Sequence, residues 1–240
     1  MRMKAVIAML IGINIMFSDL YDMGESVDKT GFSLQEMTME EQMEYENSLE
    51  ITKYLEEPEE EIKEPIDCFD VSEDGIILIG CYRKLNKRIM LYDSDGSFLW
   101  QYQIHLRGEF EIEWVNDGIA LYSGEYQVAI VFDLSGKIIS VKKINNTLQS
   151  RNYWYQLYDR TCIAVGNREY VIRSEMGILN WIGTSQTQLV LIEENGEEKI
   201  LYDVNDRTIV IMVITLSVDT CACIVHKIYE KKKFSRTYGY

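Results

Sequence analysis

The residues of this chain that could do chemistry are few and scattered. Its five cysteines are Cys68, Cys81, Cys162, Cys221 and Cys223, and its two histidines are His105 and His226. The run Cys221-Ala-Cys223-Ile-Val-His226 invites a metal reading, but geometry argues against it. On a helix the two cysteines point roughly 200° apart, and on a strand they share a face from which His226 points away. A fourth ligand is also missing. His105, beside Arg107, has no Gly-x-Ser-x-Gly elbow or similar context to place it in a nucleophilic triad, and reads as a loop histidine. Asp93-Ser-Asp95-Gly96 begins like a calcium loop, yet it lacks the third acid and the distal glutamate, so it reads as a hairpin turn. These residues assign no catalytic group, no cofactor site and no metal site.

Two constellations are more informative. Cys68 and Cys81 flank the dipeptide Asp74-Gly75 symmetrically. If that turn is two residues long, Glu73 faces Ile76 and the two cysteines sit opposite each other in a non-hydrogen-bonded pair, a candidate disulfide in an exported domain. A bulged turn shifts the register by one and leaves two small buried thiols instead. Tyr153, Trp154, Tyr155 and Tyr158 form an aromatic cluster. On a strand, Tyr153 and Tyr155 would share one face and Trp154 the other. Core packing explains one of those faces, and the other is a candidate binding surface for a ligand or a protein.

The elements that must position these residues are short strands. Val128-Ala-Ile-Val-Phe-Asp133-Leu-Ser-Gly136-Lys-Ile-Ile reads as an apolar strand, a polar turn ending in glycine, and a second strand. The same pattern recurs at Ile89-Met-Leu-Tyr-Asp93-Ser-Asp-Gly96 and at Leu189-Val-Leu-Ile-Glu-Glu-Asn-Gly196. A second turn, Asp74-Gly75 or Asp117-Gly118, precedes two of the copies, and Asp159-Arg-Thr-Cys162 occupies the third such place. Each unit thus reads as four antiparallel strands, repeating every roughly 40–45 residues, the length of one propeller blade. The expected fold class is all-β, with units near 66–104, 111–144 and 153–202. The third is lengthened by an irregular connection around Trp181 and Gly183–Gln188.

The phrase of aliphatics, an aromatic, Asp, two residues and Gly, as in Val131-Phe132-Asp133-Leu-Ser-Gly136, resembles the blades of NHL-type or PQQ-type β-propellers. The resemblance covers about residues 66–204 and implies blade geometry, hence a partial β-propeller. Rings of this type typically need about 4–8 blades. Three units therefore call for a cap from residues 33–57, or for a protein partner or second copy that completes the assembly.

The ends differ in kind. Met1-Arg-Met-Lys4 followed by the uncharged run Ala5–Phe17 has the pattern of a secretory signal peptide or N-terminal anchor, over residues 1–18. Residues 19–65 are an acidic spacer or cap. Within them Thr38 and Glu41 suit a capping box, and Met43, Ile51, Tyr54 and Leu55 give a ragged helical stripe, with Leu49–Leu55 as a lead-in strand the alternative. Residues 66–207 are the repeat domain. Residues 208–227, Thr-Ile-Val-Ile-Met-Val-Ile onward, read as a transmembrane helix despite Asp219, and 228–240 as a basic cytoplasmic tail. The alternative for 208–229 is a fourth hairpin. Both termini carry excess Lys and Arg while the chain as a whole is −15. An acidic middle outside a membrane, between two basic ends inside it, satisfies the positive-inside rule twice.

That charge excludes nucleic acid as a partner, since phosphate binding needs a basic face. The expectation is a membrane-anchored extracytoplasmic binding or sensing module without catalysis. Two alternatives remain: a propeller-type lyase or hydrolase using its many acids, or a soluble structural subunit that completes a propeller with a partner.

Overall fold

The computed structural model describes residues 30–58, 63–83, 86–116, 118–177 and 186–238. The signal or anchor expected at 1–18, the start of the spacer, and Trp181 lie outside the described residues. In chain order the first elements are β1 (Leu34–Glu36), α1 (Met39–Ser48), β2 (Ile51–Tyr54), β3 (Cys68–Val71), β4 (Ile77–Arg83), β5 (Asn86–Tyr92) and β6 (Phe98–His105). Then come β7 (Phe110–Val115), β8 (Gly118–Ser123), β9 (Val128–Phe132), β10 (Ile138–Ile144) and α2 (Leu148–Tyr158). The chain closes with β11 (Cys162–Val165), β12 (Arg168–Arg173), β13 (Gln188–Ile192), β14 (Glu198–Asp203) and α3 (Asn205–Tyr238).

One turn is used four times. At Ser72–Ile76, Asp93–Ser97, Asp133–Lys137 and Glu193–Glu197 the first residue's N–H donates to the last residue's carbonyl. In each, the glycine N–H donates back to the first carbonyl, all at 2.8–3.0 Å. Gly75, Gly96, Gly136 and Gly196 take φ of +83°, +88°, +89° and +78°. This is a three-residue loop with a left-handed bulge residue, a conformation that costs any residue with a Cβ. Aspartate suits the first position because its carboxylate accepts the turn's own amides. Asp133 Oδ1 receives Ser135 N at 2.8 Å and Lys137 N at 3.0 Å,.

The same turn decides the fate of the two cysteines. Because Ser72 pairs with Ile76, Cys68 lies opposite Gly80 rather than Cys81. Cys81 therefore points to the other face of the sheet. Both are buried and form no disulfide, and the Cys81 thiol reaches the Glu64 carbonyl at 3.5 Å.

The strands form antiparallel sheets in the orders β1-β10-β9-β8-β7, β2-β6-β5-β4-β3 and β11-β12-β13-β14. None of the three closes on itself. The acidic segment supplies the outermost strand of two of them. Leu34–Glu36 pairs with β10, where Glu36 faces Lys142 and bonds it at 2.9 Å. Ile51–Tyr54 pairs with β6. Between them the capping box is formed: Thr38 Oγ1 accepts the Glu41 N–H and the Glu41 carboxylate accepts the Thr38 N–H. Of Leu49–Leu55, Ile51–Tyr54 is thus a strand, and Leu49 caps the end of the helix.

The chain divides into two compact units, one from Met1–Glu50 and Gly108–Asp159, the other from Ile51–Arg107 and Arg160–Tyr240. In the second unit two sheets pack face to face. Phe69, Ile77, Ile79, Met90 and Tyr92 on one side meet Tyr170, Ile172, Leu189, Leu191 and Tyr202 on the other. The bridge Arg160 Nη1–Asp70 Oδ1 at 3.2 Å ties the segment just before β11 to β3. In the first unit a single sheet is covered by α2. Ala120 and Ala129, small residues on the covered face, leave room for Phe32, Tyr153, Trp154 and Leu157.

Residues 208–229 are one helix, not the two strands of a fourth hairpin. Only Val204 separates β14 from α3. The junction is pinned: Thr187 Oγ1 bonds Asn205 Oδ1, Arg207 Nη1 donates to the Lys63 carbonyl, and Asn205 N donates to Asp203 Oδ1 at 2.8 Å. In α3 the side chains are described through Val218 and at 220, 221, 223, 226 and 227. Among the described residues no helix is long and apolar enough to cross a membrane.

Candidate binding cleft

The aromatic cluster lies on a helix. Thr147 caps α2, its Oγ1 accepting the Ser150 N–H at 3.1 Å. Strand alternation at 153–155 is therefore replaced by a 100° rotation per residue, which sorts the four aromatics differently. Tyr153 packs onto the sheet. Its hydroxyl donates to Glu113, 2.7 Å from Oε1 and 2.9 Å from Oε2, and the Tyr122 hydroxyl donates to the same carboxylate at 2.9 Å. Its ring stands perpendicular to Phe32 at 4.8 Å and lies so close to Gly31 that a Cβ there would come within 2.1 Å of it. Trp154 rests on Gly124, where a Cβ would lie 3.1 Å from the indole edge. Tyr155 and Tyr158 point outward, 62% and 55% exposed.

Beside Trp154 opens a cleft of about 430 Å³, within the range of about 300–1,000 Å³ that holds small ligands. It lies wholly in the first unit. Phe32, Ile144 and Trp154 give it apolar walls, with the buried hydroxyls of Ser123 and Ser150 between them. Gln127, Asn145 and Asn146 bring amides to the rim, and Glu109, Glu125 and Arg151 bring charge. Ser150 is held by the Ser33 N–H at 3.1 Å, and Asn145 Nδ2 donates to Ser33 Oγ at 3.3 Å, so β1's approach fixes one wall. Gln127 is the one non-glycine residue with positive φ among the described residues, at +53°. Its carbonyl accepts the Ile144 N–H at 2.7 Å. A left-handed residue without a glycine's freedom, fixed at the rim of a cleft, is the kind of local strain that binding sites retain.

Of the cluster's four aromatics only Trp154 lines this cleft. Phe32, Ile144 and Arg151 come from separate segments, and no spacing links them. Gly124, which lies under the Trp154 indole, is the one glycine in the lining. Glu109 O accepts the Gly124 N–H at 3.0 Å, which draws the two loops together.

The other candidates are placed apart. His105, exposed at the end of β6, has Nδ1 3.1 Å from Asn86 Oδ1. Asp93 and Asp95 spend their carboxylates on their own turn. Cys221, Cys223 and His226 lie along α3, and among the described residues no group of His, Cys, Asp or Glu could hold a metal ion. Cys162 is exposed, but its thiol donates to Glu169 Oε1 at 2.8 Å. That hydrogen bond, with some burial and the carboxylate's charge, pushes its pKa up to about 11. A smaller cavity of about 90 Å³ in the second unit is lined by Glu64, Asn86, Lys87, Arg88 and Gln103. Lys87 is buried, its ammonium 3.4 Å from the Tyr82 ring centroid.

Compared with known proteins, the chain matches no protein-family model, no curated sequence and no solved structure.

Proposed function

We propose that this chain is a single-pass membrane protein that displays a ligand-binding ectodomain outside the cell, with α3 as its anchor. The observation that carries the proposal is the surface of α3. From Val213 to Val218 every residue is exposed, and Val213, Ile214, Leu216 and Val218 are 41–61% exposed. Six consecutive helical residues sweep all faces, and a helix that is apolar all round has no stable place in water. Its few hydroxyls are already satisfied. Thr215, Ser217 and Thr220 donate to the carbonyls of Ile211, Val213 and Leu216 at 2.7–2.9 Å. Such back-bonding hides a polar group from hydrocarbon and wastes it in water.

In the sequence the apolar run extends to Val225, 18 residues with Asp219 as its one charge. As a helix it measures about 27 Å, close to the roughly 30 Å hydrocarbon core. Lys231, Lys232, Lys233 and Arg236 follow it and act as the cytoplasmic stop, in agreement with Arg2 and Lys4 at the other end,. Asp219 costs about 2.5–3.5 kcal/mol at mid-membrane, which the aliphatic residues around it offset in part. The blade-like sheets serve as a scaffold for the cleft beside Trp154, and no catalytic group enters the reading.

Protease added to intact cells should trim the protein to a short C-terminal remnant that stays with the membrane fraction. Full protection, together with recovery of the intact chain in the soluble fraction, overturns the proposal.

A further inference from the structure

We infer that the cleft beside Trp154 binds a zwitterionic ligand with an apolar side chain, namely a free amino acid or a short peptide with unblocked ends. This rests on the reading of the ectodomain as a binding module.

The argument starts from charges that do not use each other. Glu109, Glu125 and Arg151 line one cleft, yet among the described residues none of the three side chains forms an ion pair or a hydrogen bond. Elsewhere this chain pairs such groups readily. Arg160 meets Asp70 at 3.2 Å, Arg168 meets Glu193 at 3.1 Å, and Arg173 meets both Glu175 and Glu198 at 2.8–2.9 Å. In the cleft, opposite charges are held too far apart to pair, and a ligand carrying one charge of each sign at its two ends can bridge them.

The other lining residues narrow the class. A lone anion would meet two carboxylates, and a lone cation would leave Arg151 unanswered. A neutral sugar would engage neither sign by charge. A zwitterion answers both, its carboxylate taken by the guanidinium in a forked pair and its ammonium by a carboxylate. Between its ends, Phe32, Ile144 and Trp154 offer an apolar wall for a side chain. The amides of Gln127 and Asn146, also without internal partners, can meet a peptide bond.

The test uses the full-length chain in detergent micelles, titrated calorimetrically with phenylalanine and with the tripeptide Ala-Phe-Ala. Each probe is also offered N-acetylated and C-amidated, and maltose serves as the neutral polyhydroxyl probe. Saturable binding of one unblocked probe is expected, and its identity tells free amino acid from peptide. Each blocked form should bind about tenfold more weakly, the loss of one charged contact. Arg151→Gln should bind the free acid and the C-amide equally while melting at the wild-type temperature, since the Arg151 side chain forms no hydrogen bond or ion pair among the described residues. Tyr155→Ser, on the outward side of α2, should leave binding unchanged. The inference is overturned if neither unblocked probe saturates at millimolar concentration, if blocking either end costs nothing, or if maltose binds better. A failure here leaves the membrane topology standing, and soluble recovery of the chain leaves the chemistry of the cleft standing.

Discussion

The sheet β3–β6 and the sheet β7–β10 are the same object on different duty. Each is a four-strand meander, each uses the Asp-x-x-Gly bulged turn before its last strand, and each gains a fifth strand from the acidic N-terminal segment. They differ in what covers them. The first is covered by another sheet, and two twisted sheets interdigitate along their whole faces,. On one face the second is covered by one helix of 11 residues. A cylinder laid on a wide face cannot reach its corners, and the uncovered corner is the cleft. Polar groups follow the same division. On the open surface of the sheet pair, Arg168, Arg173 and Cys162 are each engaged by a neighbouring glutamate. On the rim of the cleft, Glu109, Glu125 and Arg151 are not. What distinguishes a scaffold from a site here is the shape of the cover and not the strands beneath.

The contrast is most exposed to attack in the cores. Met90, fully buried between the two sheets, should cost about 2–5 kcal/mol when replaced by alanine, because neither sheet can close over the void. Leu157→Ala on α2, also buried, should fall toward about 2 kcal/mol, since a helix beside an open cleft can settle. Denaturant unfolding of the full chain measures both, and equal losses would erase the distinction. Next in size are two turns. Gly96→Ala and Gly196→Ala each force a left-handed residue, a strain of about 1–2 kcal/mol. Only at Gly96 would the new Cβ also press on Leu201, at 3.0 Å, with nothing within 4 Å at Gly196. Gly96→Ala should therefore melt lower, and the reverse order would mean that this turn does not pack on Leu201 of β14.

The smallest expected effect is kinetic. With its pKa up at about 11, Cys162 should react slowly with thiol reagents at mildly alkaline pH although it is exposed. Glu169→Gln removes the carboxylate and should quicken the reaction about tenfold, the gain in thiolate being offset in part by its lower nucleophilicity. An unchanged rate would show that the surface of the sheet pair is not quenched by its own pairs.

How much of this was legible in the sequence follows from the range of the forces involved. The hairpins were readable because glycine, aspartate and period-2 alternation act within five residues. The capping box at Thr38 and Glu41 was readable for the same reason. The cysteine register was not, because a two-residue and a three-residue loop share the dipeptide Asp74-Gly75, and only the partner of Ser72 tells them apart. Alternation at Tyr153–Tyr155 fits a strand as well, and the cap at Thr147 with the two alanines opposite, Ala120 and Ala129, decides for a helix. The cleft was least visible of all. Phe32, Gln127, Ile144 and Arg151 meet only through the pairing of β1 with β10, and no local pattern encodes that.

The single-residue junction at Val204 has a mechanical consequence. Neither glycine nor a loose linker stands between β14 and α3, and the bonds at Thr187, Asn205 and Arg207 clamp the first turn. The base of the 34-residue helix is therefore held directly to the pair of sheets. At 1.5 Å per residue that helix is a lever about 50 Å long, so a rocking of about 6° at its base carries its far end through about 5 Å. Any movement of the sheet pair is delivered undamped to the basic end of the chain.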